Sequence, residues 1–127
     1  MTVPRNKLVM IVDDDRDVRQ AITEVLADAD YTPMGASDGQ DALDKLASAD
    51  TLPSLILLDV MMPGMDGWAF RKVQIAHPRL SKIPVVVLTA HTNASETGQR
   101  MQTAGSLKKP VDLDELLETV ERFCATE

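Results

Sequence analysis

Three short aliphatic runs constrain the fold of this 127-residue chain more than any other feature. They occupy residues 8–12 (LVMIV), 55–58 (LILL) and 85–88 (VVVL). Each run is too short to form a helix of its own, and none alternates with polar residues. Unbroken apolar runs of this length are typical of strands that are buried on both faces of a parallel sheet. Residues 31–36 and 106–108 are weaker candidates for two further strands.

Amphipathic segments separate these runs. Apolar residues recur at helical spacing in residues 17–29, 38–49, 67–77, 93–104 and 111–124. Pro78 ends the third segment, and Gly105 stands where the fourth would have its C-cap. Strand and helix thus alternate five times, which predicts an α/β fold with a five-stranded parallel doubly wound sheet. The predicted type is flavodoxin-like (βα)5 with strand order 2-1-3-4-5, and Pro33 favours an edge position for the second strand.

Composition and charge limit the function classes. The chain has a net charge of -7 and no cluster of Lys and Arg, so direct binding of nucleic acid is not expected. Cys124 is the only cysteine, which excludes a disulfide framework. The sequence contains no apolar signal segment and no apolar run of membrane-spanning length. These features predict a cytoplasmic protein with no membrane partner.

The chain shows no internal repeat, linker or composition shift, so residues 1–127 are interpreted as a single domain. Its hydrophobic share of 44% and charged share of 26% suit a globular domain. A complete single-domain protein and a domain excised from a longer protein both fit these boundaries. The absence of a linker remnant favours the complete protein.

Polar residues follow each of four predicted strands. Asp13 and Asp14 come after the first, Asp59 after the third, Thr89 after the fourth and Lys109 after the fifth. The carboxyl ends of parallel strands meet at one edge of such a sheet, where ligands bind. Three carboxylates brought together there repel one another unless a cation enters. Mg2+ prefers oxygen ligands of this kind, so the edge is a candidate magnesium site.

The same set of residues suits phosphoryl transfer. A carboxylate can attack phosphorus to give an aspartyl phosphate, which makes Asp59 the candidate nucleophile. Phosphoryl transfer depends mainly on in-line positioning and on neutralisation of charge. Lys109 and Mg2+ would neutralise the phosphoryl oxygens, and the Thr89 hydroxyl could donate a hydrogen bond to one of them.

Four segments carry a resemblance to a known family. They are LVMIVDDD at residues 8–15, LILLDVMMPGMDGW at 55–68, VVVLTA at 85–90 and KKP at 108–110. In this order the sequence resembles the response regulator receiver domains of two-component signalling, over nearly the whole chain. The resemblance implies a signalling relay that catalyses only its own phosphorylation and dephosphorylation, and that is not an enzyme with turnover. It also implies a histidine kinase or histidine phosphotransfer protein as phosphohistidine donor, and a downstream protein target.

The resemblance assigns roles to individual residues. Asp59 is similar to the phosphoacceptor, and Asp13 and Asp14 to the acidic pair that holds Mg2+. Met61 is similar to the residue whose backbone carbonyl also ligates the metal. Thr89 and Lys109 are similar to the hydroxyl switch residue and the site lysine. The Lys109–Pro110 bond is similar to one that is often cis.

The sequence departs from the family pattern before the fifth strand. The loop there is about three residues short, and Ser106 occupies the place of the usual Tyr or Phe. That aromatic residue normally moves together with the threonine hydroxyl. The departure leads to the hypothesis that phosphorylation is signalled by another route, through rearrangement of residues 93–105.

Several alternatives remain beside the leading interpretation. A phosphorylation-independent protein-binding module is kept open by Ser106. An aspartate-nucleophile phosphatase would need an acid two residues after Asp59, where Met61 stands. Asp15 and Asp66 are interpreted as helix-capping or turn residues rather than ligands. His91 lies two residues beyond the strand-ending threonine, and the hypothesis is that His91 and Met61 modulate how fast water reaches the acyl phosphate.

Overall fold

The structure is a computed structural model that describes residues 7–90 and 94–124. Strands and helices alternate along these residues. The strands are β1 Leu8–Val12, β2 Thr32–Ala36, β3 Leu55–Asp59, β4 Val85–Thr89 and β5 Gly105–Lys108. The helices are α1 Arg16–Asp28, α2 Gly39–Ser48, α3 Gly67–Ala76, α4 Ala94–Arg100 and α5 Leu113–Cys124. In the part of the chain so described, no helix has the length and apolar character needed to cross a bilayer.

The five strands form one parallel sheet in the order β2-β1-β3-β4-β5, as predicted. Its two faces carry separate apolar cores because successive side chains of a strand point to opposite sides. Met10 and Leu58 belong to the core that includes Phe70 of α3. Ile11 and Leu57 belong to the other core, beneath α1 and α5. The central strands are apolar except for Asp59 and Thr89 at the ends of β3 and β4, because helices cover both faces. β2, which contains Pro33, lies at an edge as predicted.

Aspartate side chains cap four of the helices, and for α5 Asp112 accepts from the N–H groups of Asp114 and Glu115 at 2.9 and 3.2 Å. Asp15 caps α1 and accepts hydrogen bonds from the main-chain N–H groups two and three residues further on, at 2.9 and 3.3 Å. Asp38 and Asp66 cap α2 and α3 in the same way, each accepting from the N–H group three residues further on, at 2.8 and 2.9 Å. The capping interpretation of Asp15 and Asp66 is therefore confirmed.

The end of α4 differs from the prediction. The helix ends at Arg100, and Gly105 is not its C-cap but the first residue of β5. Gln102 takes the left-handed conformation instead, with φ 56°. The N–H groups of Gln102 and Thr103 donate to the carbonyls of Gln99 and Gly98, both at 3.0 Å. This is a Schellman ending, which places the left-handed residue three positions earlier than the glycine suggested.

Candidate functional site

The predicted site residues meet at the carboxyl edge of the sheet. Asp13 and Asp14 follow β1, Asp59 is the last residue of β3, and Thr89 is the last residue of β4. Ligand oxygens of Asp13, Asp14 and Asp59 lie within 4.8 Å of one another. Asp13 and Asp59 are buried, whereas Asp14 is exposed. Three carboxylates that converge from two neighbouring strands fit a hard cation that is bound through oxygen.

Lys109 supplies the counter-charge of this cluster. Its Nζ lies 2.9 Å from Asp13 Oδ2 and 3.2 Å from Asp59 Oδ1. The main-chain N–H of Lys109 donates to the Thr89 carbonyl at 2.8 Å, which fixes the end of β5 beside the end of β4. The peptide bond between Lys109 and Pro110 is cis, as the sequence resemblance implies. The Lys109 ammonium group therefore forms ion pairs with two buried carboxylates.

The cluster contains three carboxylates but only one ammonium group, that of Lys109. Burial, together with the charge of Asp13, raises the pKa of Asp59 to about 6, against the opposing effects of Lys109 and a backbone hydrogen bond from Met61. Burial alone would lower the pKa of Lys109, but hydrogen bonds and charge from Asp13 and Asp59 outweigh it and raise that pKa. The ionised form of Asp59 is therefore unfavourable in the folded protein, and a bound cation would stabilise it.

Two main-chain contacts that the sequence did not reveal hold Asp13 in place. Arg19 Nη1 of α1 donates to the Asp13 carbonyl oxygen at 2.6 Å. The main-chain N–H of Asp15 donates to Asp13 Oδ1 at 2.9 Å. A main-chain acceptor leaves no signature in a sequence, so nothing in the pattern around Arg19 could have indicated this role.

Gly67 sets the distance between α3 and the end of β3. Its N–H donates to the Val60 carbonyl at 3.0 Å. A Cβ at this position would lie 2.6 Å from the main-chain oxygen of Asp59 and 2.8 Å from Val60 Cα. The absence of a side chain therefore allows α3 to begin directly against the strand that ends in Asp59.

We expect Gly67→Ala to destabilise the protein by about 1–3 kcal/mol, because the added methyl group must push main-chain atoms apart. Helix propensity alone would favour alanine at this position. Urea denaturation measures the effect. Gly105→Ala is the matched control, since its Cβ would make an ordinary contact of 3.6 Å with Val86 Cγ2. Equal midpoints for the two variants would contradict the predicted close approach at α3.

The region around α4 contains a second set of contacts that the sequence did not indicate. Arg71 of α3 donates from Nε to the Met101 carbonyl at 3.1 Å, and from Nη2 to the Gln102 carbonyl. It thereby ties α3 to the end of α4. On the other side of α4, a Cβ added at Gly98 would lie 3.2 Å from Cβ of Ser106. The small side chain of Ser106 therefore allows α4 to pack closely on β5.

Two predicted site features stay untested. The side chain of Met61 is 69% exposed, in keeping with the view that it is not itself the ligand, but its carbonyl remains a predicted ligand only. His91 lies outside the described residues.

Comparison with known proteins decides the family. Residues 9–121 match the response regulator receiver domain. The chain belongs to the response regulator receiver family. Over 118 residues, or 91% of this chain, it is 37% identical to the DNA-binding transcriptional regulator NtrC of Escherichia coli, of which the match covers 24%. It is 36% identical to the response regulator MprA of Mycolicibacterium vanbaalenii over 86% of this chain and 46% of that protein.

Solved structures of receiver proteins share the fold. The chemotaxis response regulator CheY4 of Vibrio cholerae matches with a TM-score of 0.81 and 33% identity, over 91% of this chain and 97% of that chain. The chain spans between a quarter and a half of the length of the curated relatives above. As a receiver domain it is a phosphoacceptor of two-component signalling. Receiver domains interact with histidine kinases, bind Mg2+ at an acidic pocket and have weak autophosphatase activity.

Proposed function

We propose that Asp59 is the phosphoacceptor of this receiver and that it takes its phosphoryl group from phosphohistidine of a histidine kinase or a histidine phosphotransfer protein. The observation that carries the proposal is the position of Asp59, a buried carboxylate at a strand end that shares the Lys109 ammonium with Asp13. An Asp59 oxygen attacks phosphorus, and the N–P bond of the donor breaks. The bond electrons stay on the imidazole nitrogen, which then takes up a proton.

Asp13, Asp14 and Asp59, together with the backbone carbonyl of Met61, are the proposed ligands of Mg2+. When bound, Mg2+ neutralises charge on the phosphoryl oxygens and on the carboxylates. The Lys109 ammonium, already 3.2 Å from Asp59 Oδ1, is positioned to stabilise the charge that develops on the transferred group. The proposed role of the Thr89 hydroxyl is to donate to one phosphoryl oxygen, since this buried residue is the last of the neighbouring strand.

Intact mass measurement after incubation with Mg2+ and acetyl phosphate tests this proposal. We expect a mass increase of one phosphoryl group that requires Mg2+ and disappears in Asp59→Asn. Beryllofluoride binding is measured in parallel, because some receivers accept only from phosphohistidine. An adduct that persists in Asp59→Asn would move the acceptor elsewhere. Failure of both assays would favour the phosphorylation-independent binding module.

A groove beside Lys109 offers a surface for the donor protein. It has a volume of about 510 Å3 between α1 and the start of α5, and its apolar lining includes Val18, Ala21, Val111 and Leu113. A donor histidine must approach Asp59 from the solvent side, and Lys109 forms part of both the groove and the carboxylate cluster. Apolar contact in the groove would hold the donor in the orientation that in-line transfer needs.

We expect Ala21→Glu to slow transfer from a phosphohistidine protein about tenfold or more, because it puts a charge into an apolar contact surface. Phosphorylation by acetyl phosphate should stay unchanged, since a small donor does not use the groove. Comparison of the two donors with each variant measures the difference. Ala27→Glu, also on the exposed side of α1 but outside the groove, is the control. Equal loss with both donors would place the defect in the acceptor site instead.

The downstream partner is proposed to be a protein, and residues 1–127 are proposed to act as one receiver domain. The proposed signal route runs through residues 93–105, as the hypothesis from Ser106 suggests. Two contacts support this route: the donation from Arg71 to the end of α4 and the close approach of Gly98 to Ser106. Through them α4 adjoins both α3, which begins beside Asp59, and β5, which ends directly before Lys109.

A further inference from the structure

The outward side of α3 exposes large apolar side chains. Trp68, Val73 and Ile75 are 42%, 41% and 46% exposed. They make up three of the five large hydrophobic residues that are exposed in the described part of the chain. On the inner side of the same helix Phe70 is buried in the apolar core, and buried Gln74 donates to the carbonyls of Leu80 and Ile83.

This pattern is unusual for a surface helix. Such a helix ordinarily has one apolar stripe and a polar opposite side, whereas a helix that is apolar all round is covered on all sides. Only one of the outward positions of α3 is charged, and it is Lys72. The others are Trp68, Ala69, Val73, Ile75 and Ala76. Exposed apolar patches that are bordered by polar residues mark sites of protein interaction.

The chain segment that follows the Asp66 cap is basic, although the chain as a whole is acidic. Residues 67–95 contain four Lys or Arg and no Asp or Glu, although the whole chain has a net charge of -7. Arg71 donates to carbonyls near the end of α4, and Arg79 donates to the Ala49 carbonyl at 2.8 Å. Lys72 and Lys82 are exposed and form no ion pair within residues 7–90 and 94–124. These two ammonium groups lack a protein counter-charge there.

A shallow hollow lies at the carboxyl-terminal half of the helix. Its volume is about 480 Å3, and it is lined by Lys72, Val73, Ala76, His77 and Pro78. The lining is almost entirely apolar apart from the lysine end group and the imidazole. The hollow can therefore receive an apolar side chain while Lys72 contacts a neighbouring anionic group.

We propose that the outward side of α3 binds a helical segment of another protein that carries Asp or Glu beside an apolar stripe. Trp68 and Ile75 are seven residues apart, so they project from one side of the helix about 10 Å from each other. An amphipathic partner helix presents anchors at the matching spacing. Lys72 stands between the two apolar positions, which gives an acidic partner an advantage over a neutral or basic one.

This site is separate from phosphoryl acceptance, since none of its residues belongs to the carboxylate cluster. Two lysines without an ion pair are too few for a nucleic-acid surface, which needs a basic stripe. A second copy of this chain, with its acidic surface, is the competing occupant. The experiment below separates these possibilities.

Trp68 is the only tryptophan of the chain, so its fluorescence reports on this surface directly. The probe is a synthetic amphipathic helix of Leu, Ala and Glu, about 18 residues long so that it is helical on its own. The comparison peptide has Lys in place of every Glu. We expect a saturable blue shift of Trp68 emission with the acidic peptide, and binding at least about tenfold weaker with the basic one.

Two variants and one control locate the binding. Val73→Glu and Lys72→Glu each change an exposed position and should weaken binding of the acidic peptide about tenfold, with unchanged far-UV circular dichroism. Ala27→Glu on α1, which lies on the opposite face of the sheet, should leave it unchanged. Equal affinity for both peptides, no emission shift, or no effect of either α3 variant would overturn the proposal. So would self-association in sedimentation velocity that Val73→Glu abolishes, because the occupant would then be a second copy.

Discussion

Replacement of the proposed nucleophile is expected to make the metal-free protein more stable. A carboxyl whose pKa rises from 3.8 to about 6 on folding loses up to about 3 kcal/mol of folding free energy when it is ionised. Asp59→Asn keeps the shape of the side chain and removes that charge. At pH 7.5 in EDTA we therefore expect the variant to be about 2–3 kcal/mol more stable than the wild type.

The pH dependence of this gain has a definite sign. Between pH 3.8 and about 6 the folded protein holds a proton on Asp59 that the unfolded chain has lost. The stability of the wild type therefore falls as pH rises through this window, and the penalty is complete above it. The advantage of Asp59→Asn should accordingly shrink as pH is lowered towards 4.

Urea denaturation followed by Trp68 fluorescence at several pH values measures both effects. Asp14→Asn is the matched control, since it removes a carboxylate of the same cluster whose side chain is exposed. It should give a smaller gain. Added Mg2+ should stabilise the wild type more than Asp59→Asn, because the variant has lost one proposed ligand. If Asp59→Asn is no more stable than the wild type at pH 7.5, then burial of the ionised Asp59 carboxylate does not destabilise the folded protein.

The sequence predicted the sheet well because its signals are strong. Unbroken aliphatic runs locate β1, β3 and β4, and the residues that follow them locate the carboxyl edge, so Asp13, Asp59 and Thr89 were found together. Their meeting depends only on parallel strands ending at one edge. Lys109 is harder to predict from pattern alone, because residues 106–108 are only a weak candidate for a strand.

What the sequence could not predict depends on main-chain geometry. The sequence predicts the end of α4 too late, because glycine is the residue type that usually takes the left-handed conformation, whereas Gln102 takes it here. Arg19 and Arg71 donate to carbonyl groups, and any residue type supplies such an acceptor. The sequence predicts that repulsion raises the pKa of a carboxylate in the cluster, but burial is the larger cause for Asp59, and spacing along the chain does not reveal depth of burial.

Loss of the Lys109 ammonium is expected to have the largest destabilising effect. Lys109→Met keeps an aliphatic stem of similar length but leaves Asp13 and Asp59 buried without a counter-charge. Removing one partner of a buried ion pair costs about 3–5 kcal/mol, so we expect a loss of about 3 kcal/mol at pH 7.5 in EDTA. Lys108→Met is the control, because Lys108 is exposed and its replacement should change stability by less than about 0.5 kcal/mol.

A double-mutant cycle of Lys109→Met with Asp59→Asn identifies the cause of that loss. If the loss comes from carboxylates left without a counter-charge, it must shrink when one of them is already neutral, so the two changes should be non-additive by more than about 1 kcal/mol. The loss should also shrink below the pKa of Asp59, because protonation removes the same charge. The raised pKa of Lys109 means that its stabilisation is complete at pH 7.5 and disappears only as pH rises above 10.5. Additive effects would instead assign the role of Lys109 to packing of its aliphatic stem.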